Sequence, residues 1–354
     1  MDLAEIAFKV VHNVARLNEN EVVSLSGEIN NVNNNENPLS QIPLIEEIAI
    51  AVRKNKSFPI LEISTLNLKK RTLNELPENL FSLPTEFYEK WMQVIDIYID
   101  FTWNNPTIFN NISDKVILNI NNQIKKTWEI FYRQNKKMIL MGFPTEEFAE
   151  YYNLDYKSLL SVFLNGLNCD YNKIKEKSLE FVESLSFQKE TAIFSKENNS
   201  MLEISLSMSE SEIFDGDSSK RTITTLPTGN IEIPLKKIFL NGVFFAERVY
   251  YKQSTFKNIS FDIVNGEIIS IFSETNQENL TQLNQLVYQL KNTWKLVIGL
   301  NEKITDLSGY FLYDQSSKGA LSIINQDEKG HQIIMISQSS QIVNKNSKIE
   351  IVRY

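Results

Sequence analysis

The sequence predicts an α/β protein in which an N-terminal open α/β domain with a mostly parallel sheet precedes a β-rich α+β C-terminal domain. The chain has 354 residues, which is enough for about two domains at roughly 150 residues each. Helical and strand periodicities alternate in the first half, whereas short strands follow one another in the second half. Since the pattern changes near residue 188, we predict domains at 1–187 and 188–354.

The first half begins with an amphipathic helix whose apolar residues recur at helical spacing, from Leu3 to Val11. Four apolar runs predict strands, and their segments are 21–25, 58–63, 94–101 and 137–142. Helical patterns separate these runs at 43–53, 85–92 and 115–135. The segment 145–186 reads as helical throughout, with Thr145 as its N-cap. Alternation of strand and helix favours an open parallel sheet.

The second half carries the period-two alternation of strands. Such runs occur at 191–195, 201–208, 230–235 and 259–272 and resume towards the C-terminus. Asn265 and Gly266 separate two alternating segments and predict a hairpin turn. One amphipathic helix, with Leu283 and Leu290 on its apolar stripe, interrupts the strands. This half is therefore predicted to be β-rich.

Composition excludes several classes of protein. Acidic residues outnumber basic ones by 44 to 36, which argues against nucleic acid or an anionic membrane as a partner. One cysteine and two histidines exclude a disulfide scaffold, a cysteine-rich zinc module and a site built mainly from imidazole. No signal-peptide pattern or membrane-spanning run is found, so we expect a cytoplasmic protein.

Short sequence motifs, taken one at a time, do not identify a catalytic or binding site. The sequence has no glycine-rich phosphate loop, nucleophile elbow, HExxH or CxxC. We interpret His12 as a surface or packing residue on the first helix and Cys169 as a small half-buried side chain. Asp96 and Asp100 share one face of a predicted strand, which is common beside solvent.

Several segments, taken in order, resemble the aminopeptidase T and S family of two-metal metallopeptidases. The segment 140–170 (LMGFPTEEFAEYYNLDYKSLLSVFLNGLNCD) resembles a family segment that begins with Pro-Thr and closes with Asp. LPTGNIEIP resembles the Leu-Pro-x-Gly-Glu-Val motif, and WKLVIGLN resembles Ala-Glu-Leu-Gly-Ile-Gly-Thr-Asn. LYDQSSKGALSIINQ resembles Phe-Asp-Glu-Lys-x-x-Gly-Thr-x-His. The resemblance implies this family's two-domain fold and a homodimer.

The family's chemistry requires carboxylate and imidazole ligands for two metals, and the matching positions lack them. The resemblance places Asn230 at one metal-binding glutamate, Lys295 at a second acidic position and Ser322 at a histidine. In an ungapped register, Ile333 and Met335 fall at a terminal His-x-Asp pair. We therefore expect the metal site to be lost and predict no cofactor.

Two nearby residues offer substitutes for the missing ligands. Glu232 lies two residues beyond Asn230, on the same face of a strand, and a slip of two residues brings His331 to the histidine position. One carboxylate and one imidazole do not form a two-metal cage, and Lys295 would repel the metals.

These observations favour a catalytically inactive aminopeptidase-like protein that binds a peptide or protein partner, as a homodimer or in an assembly with a catalytic partner. Two enzymatic alternatives stay open: a residual aminopeptidase using Glu232 and His331, and a metal-free enzyme with Lys295 as base or nucleophile. A third is a structural subunit whose cleft is filled by its own loops, such as the Asn-rich segment after Ile29.

Overall fold

A parallel sheet and a larger antiparallel sheet organise the chain in a computed structural model. The structure describes residues 2–29, 40–77, 85–103, 112–188, 190–251, 254–273, 283, 293–327, 332–346 and 350–351. Contacts divide the chain into two units. The first comprises Met1–Asn168 and Gly216–Pro227, and the second comprises Cys169–Asp215 and Thr228–Tyr354.

The first unit is built on a five-stranded sheet in the order β2-β1-β3-β4-β8, with every neighbouring pair parallel. Its strands are β1 (Val22–Ile29), β2 (Phe58–Thr65), β3 (Ile97–Asp100), β4 (Lys137–Leu140) and β8 (Ile223–Thr225). Its helices are α1 (Leu3–Lys9), α2 (Ile42–Lys54), α3 (Leu66–Glu75), α4 (Thr85–Val94), α5 (Asp114–Arg133), α6 (Glu146–Tyr151) and α7 (Tyr156–Leu167). A π-helical turn, Val10–Val14, extends α1.

The segment 145–186 is not one helix, as its periodicity predicted, but three. Thr145 caps α6, Asp155 caps α7, and Asp170 caps α8 (Tyr171–Ser186). Each cap side chain accepts hydrogen bonds from backbone N–H groups in the first turn, which begins a new helix. The apolar spacing continues across the breaks and conceals them.

The second unit contains an eleven-stranded antiparallel sheet. Its main path runs β16-β5-β6-β10-β15-β14-β13-β9-β7, and β11 and β12 extend from β10. The strands are β5 (Thr191–Ser195), β6 (Met201–Ile204), β7 (Glu212–Phe214), β9 (Asn230–Leu235), β10 (Asn241–Tyr251), β11 (Ser254–Val264), β12 (Glu267–Phe272), β13 (Thr293–Gly299), β14 (Leu321–Gln326), β15 (Gln332–Ser337) and β16 (Ser340–Asn344). A short helix, α9 (Phe311–Asp314), precedes β14. The predicted α/β class, with a parallel sheet followed by a β-rich half, is confirmed.

The predicted hairpin joins β11 to β12. Asn265 and Gly266 have φ angles of 52° and 68°, as a two-residue turn between twisted strands requires. The amphipathic helix predicted around 283–290 lies outside the described residues, apart from Leu283. No described helix has the length and apolar character needed to cross a membrane.

The two units divide the chain differently from the predicted boundary at residue 187. Helix α8 belongs to the second unit because Phe181 and Leu185 lie in that unit's core. Strand β8 returns to the first unit, where Ile223 pairs with Met138 of β4. Three residues of β8 give too short a periodic signal to be recognised from the sequence.

Candidate functional site

Four of the predicted site residues lie on one face of the antiparallel sheet. Asn230 and Glu232 are on β9, Lys295 is on β13 and Ser322 is on β14, and these strands are neighbours in that order. The register pairs Glu232 with Val297, and Val297 with Ser322, so these residues form a row across the sheet. We call the face that carries these four predicted residues the candidate face.

Ile333 and Met335 do not lie on the candidate face. Both are fully buried in the core on the opposite side of the sheet. On β15, Ile336 pairs with Ser322, and Ile334 is two residues away on the same side. Ile333 and Met335 therefore do not share a face with the four predicted residues of the candidate face, and Ile334 and Ile336, which do, are also apolar.

Lys295 and Glu232 form an ion pair at the edge of the candidate face. The Lys295 Nζ lies 3.1 Å from Glu232 Oε2, with the two side chains 40% and 23% exposed. Glu232, which the sequence offered as a substitute metal ligand, is therefore already neutralised by a cation of the protein.

Asn230 and Ser322 place polar atoms on the candidate face, and two of these atoms have no hydrogen-bond partner among the described residues. Asn230 Nδ2 donates to Ser316 Oγ over 3.3 Å. Its Oδ1 and the Ser322 hydroxyl oxygen are buried and have no hydrogen-bond partner among the described residues. Because buried polar atoms are almost always paired, these two atoms leave hydrogen-bonding capacity unused on the candidate face.

The residues present do not fit a two-metal centre. The described part of the chain contains no group of three or more histidine, cysteine, aspartate or glutamate residues that could hold a metal ion. Apart from Glu232, which is paired with Lys295, the candidate face carries an amide, a hydroxyl, a lysine and apolar side chains where carboxylates and imidazoles are needed.

The centre of the candidate face is covered by the chain that follows β13. Leu307 and Phe311 pack against an apolar cluster on this face. The buried members of the cluster are Tyr250, Val297, Ala320, Ile324, Ile334 and Ile336. We call residues 300–320 the covering segment. It belongs to the same unit as the sheet.

A buried carboxylate anchors the covering segment. Asp314 accepts hydrogen bonds from the Tyr250 hydroxyl, from the Ser308 N–H and hydroxyl (2.6 Å each) and from the Gly309 N–H (3.0 Å). Burial raises the pKa of Asp314, and burial also raises the pKa of Tyr250. Neither residue was predicted as important, although Asp314 occupies the aspartate position of the stretch that resembles Phe-Asp-Glu-Lys.

Gly299 allows the covering segment to lie close to β13. A Cβ atom at this position would lie 2.0 Å from the backbone oxygen of Ser317. The Gly299 N–H donates to Ala320, and the Gly319 N–H donates to Gly299. The glycine of WKLVIGLN therefore has a packing reason that does not depend on a metal.

The two histidines offer no imidazole at the candidate face among the described residues. His331 lies outside the described residues. His12 lies in the π-helical turn, where its ring centroid is 4.3 Å from that of Phe8. This contact agrees with a packing role for His12.

Asp96 and Asp100 lie in the first unit and hold backbone structure. Asp96 accepts from the Val22 N–H over 2.9 Å. Asp100 accepts from the N–H and hydroxyl of Thr102, and burial raises its pKa. These hydrogen bonds give both carboxylates a structural role.

Comparison with known proteins supports the fold alone. No family model matches the sequence, and no curated protein matches it. Among solved structures, the chain is similar to wild-type AmpT from Thermus thermophilus, with a TM-score of 0.58 and 10% identity. The match covers 96% of this chain and 93% of that chain. The chain therefore has a two-domain, aminopeptidase-like fold that distantly resembles the fold of AmpT.

Proposed function

We propose that this chain is a catalytically inactive aminopeptidase-like protein that binds a peptide or protein partner. The observation that carries the proposal is the Lys295–Glu232 ion pair on the candidate face. An ammonium group and a divalent cation about 4 Å apart repel by about 8 kcal/mol at an effective dielectric constant near 20. A carboxylate at the same separation attracts the ion by about the same amount, so Lys295 offsets the electrostatic contribution of one such ligand.

Packing supports the same proposal. The apolar positions of β14 and β15 on the candidate face lie beneath Leu307 and Phe311, so the centre of the face has the character of a core. The half-buried border with Lys295 and Glu232 is partly accessible to a partner. There the two charges and the Asn230 amide are suited to the carboxylate, amine and backbone groups of a peptide.

Cellular location and assembly belong to the proposal as well. The one cysteine of the sequence, Cys169, is buried, which agrees with a reducing cytoplasm. We propose a homodimer or an assembly with a catalytic partner. Light scattering across a range of concentrations tests this, and a monomer that forms no complex would contradict it.

Metal content tests the inactive state directly. The protein is offered excess zinc and cobalt, desalted and measured by mass spectrometry, and we expect fewer than about 0.2 equivalents. Binding of about two equivalents, with hydrolysis of aminoacyl substrates, would overturn the proposal. Hydrolysis lost in Glu232→Gln would identify a residual metallopeptidase, and metal-free turnover lost in Lys295→Met would identify a lysine-dependent enzyme.

Peptide binding tests the other half of the proposal. Fluorescein-labelled peptides with free amino termini and varied first residues are titrated with the protein, and polarisation is followed. Lys295→Met should weaken binding, whereas Lys236→Met should not. Lys236 is the matched control, because it is an exposed lysine of the same unit with no side-chain partner among the described residues. Absence of binding by every peptide would contradict this half.

A further inference from the structure

The second unit contains a cavity of about 470 Å³ that is open to solvent, and its lining includes none of the predicted site residues. Its lining residues come from the β5–β6 turn, from β10 and β11, and from the β15–β16 turn: Glu197, Phe245, Glu247, Asn258, Gln338 and Ser339. Cavities of this size with a few convergent polar groups are typical of binding sites for small ligands and side chains.

The cavity lies beside the point in the β10–β11 pair at which the alternation of core-facing side chains shifts by one residue. Phe244 and Ala246 point into the core before this point, and Val249 and Tyr251 do so after it, so the alternation shifts by one residue. On β11, Asn258 has a φ of 56°, in the left-handed region that asparagine tolerates. Because of this shift, the residues between Ala246 and Val249 do not follow the alternation between core and outer face.

Hydrogen bonds fix the cavity walls. Glu247 Oε1 accepts from the backbone N–H of Gln338 (3.1 Å) and of Ser339 (2.7 Å). The Gln338 side chain donates to Ser317 Oγ over 2.7 Å and to the backbone oxygen of Thr305 over 3.1 Å. The cavity is therefore formed in advance of any ligand, which lowers the entropic cost of binding.

The lining carries negative charge and one apolar wall. Glu197 and Glu247 are the charged lining residues. Glu197 makes no ion pair, and Glu247 Oε2 no hydrogen bond, within the described part of the chain. Phe245 is 7% exposed and supplies an aromatic surface. Lys196 and Lys257 adjoin lining residues in the sequence and are exposed, as Glu197 is, but neither lines the cavity.

We propose that this cavity binds the cationic side chain of a lysine or arginine residue from a peptide or protein partner. Such a side chain combines an alkyl stem, which packs on Phe245, with a cationic head that the two carboxylates neutralise. The inference rests on the proposed function only in taking the partner to be a peptide or protein. It adds a second site with a defined preference.

Small amides test the cavity without a natural partner. The probes are Nα-acetyl-lysine amide, Nα-acetyl-arginine amide and the neutral Nα-acetyl-norleucine amide, with binding followed by saturation-transfer NMR and calorimetry. We expect millimolar binding of the two cationic amides, at least about tenfold weaker binding of the norleucine amide, and loss of affinity at high salt.

Charge-neutral variants locate the site. Glu197→Gln and Glu247→Gln should each weaken binding of the cationic amides by about fivefold. Glutamine at position 247 keeps an oxygen atom that can accept from the two backbone N–H groups. Glu197 makes none of the hydrogen bonds that fix the cavity walls. If one variant is unstable, the other therefore still tests the site. Glu183→Gln, which removes an exposed charge from α8 in the same unit, should have no effect.

Three results would overturn the inference: no binding of either cationic amide at about 20 mM, well beyond the millimolar affinity expected, equal binding of the norleucine amide, or unchanged binding in both glutamine variants. None of these results depends on metal content or on hydrolysis. Failure of the cavity is therefore distinguishable from failure of the proposed function. Binding of the amides with no peptide bound elsewhere would support the cavity and contradict the broader proposal.

Discussion

Replacing Asp314 with alanine removes the anchor of the covering segment. The carboxylate is fully buried and accepts four hydrogen bonds. The Tyr250 hydroxyl and the Gly309 N–H are buried donors, whereas the Ser308 donors are only partly buried. The substitution leaves the two buried donors unpaired, and the Ser308 donors can return to water.

The magnitude follows from those donors. A buried donor left without a partner costs about 1–3 kcal/mol, so the two together cost about 2–6 kcal/mol. Alanine also removes a carboxyl group whose burial is itself unfavourable, as its raised pKa shows. We therefore expect Asp314→Ala to lower the free energy of unfolding by about 3 kcal/mol.

Urea unfolding measures this loss, and hydrogen exchange followed by mass spectrometry locates it. Exchange should accelerate in peptides of the covering segment more than in the parallel sheet of the first unit. Tyr250→Phe is the matched control, since it deletes one hydroxyl and should cost about 1 kcal/mol. A loss below about 0.5 kcal/mol for Asp314→Ala, which is typical of surface positions, would refute the anchoring role.

Three other substitutions have defined outcomes in urea unfolding. Lys69→Met should cost about 3–5 kcal/mol, because Glu28, whose side chain is 1% exposed, loses an ion pair of 3.1 Å. Hydrogen bonds, first from Lys173, lower the pKa of Glu302 to about 2. Its stabilising contribution is thus present above pH 4.5 and lost as pH falls towards 2, so Glu302→Gln should flatten this part of the stability curve. Gly242→Ala should lose at least about 2 kcal/mol, since φ is 118° and a Cβ would lie 2.3 Å from a backbone oxygen.

Each of these expectations has a contrary result. Lys69→Met is explained by the ion pair only if adding Glu28→Gln restores part of the loss, so an additive double variant would contradict the reasoning. If the stability of Glu302→Gln falls below pH 4.5 as steeply as that of the wild type, this carboxylate has the same pKa in the folded and unfolded states. A Gly242→Ala protein with the stability of the wild type would mean that the β6–β10 contact is not as close as described.

The sequence predicts most of this fold because its elements follow local periodicity. The hairpin at Asn265 and Gly266 and the strands of the parallel sheet depend on patterns within a few residues. The three-residue β8 depends instead on pairing with β4 far along the chain. The helix breaks at Asp155 and Asp170 depend on capping geometry, which a continuing apolar period conceals.

In the candidate site, too, the sequence does not predict features that depend on pairing between distant strands. Motif order was enough to bring Asn230, Lys295 and Ser322 to a common face. Motif order did not determine which alternate residues of β15 point to that face, because a displacement of one residue exchanges every side chain between the two sides of a strand. Tertiary pairing with Ser322 selects Ile336 and moves Met335 into the core.

Residues 216–227 belong to the first unit, although the chain on both sides of them belongs to the second unit, so no single cut separates the two units. A fragment ending at Asn168 lacks β8, so β4 becomes the border of its sheet, with unpaired backbone groups that favour association with other chains. A fragment beginning at Cys169 carries that strand without its sheet. A cut at one position therefore cannot yield two self-sufficient pieces, and the second piece carries a segment that can complement the first.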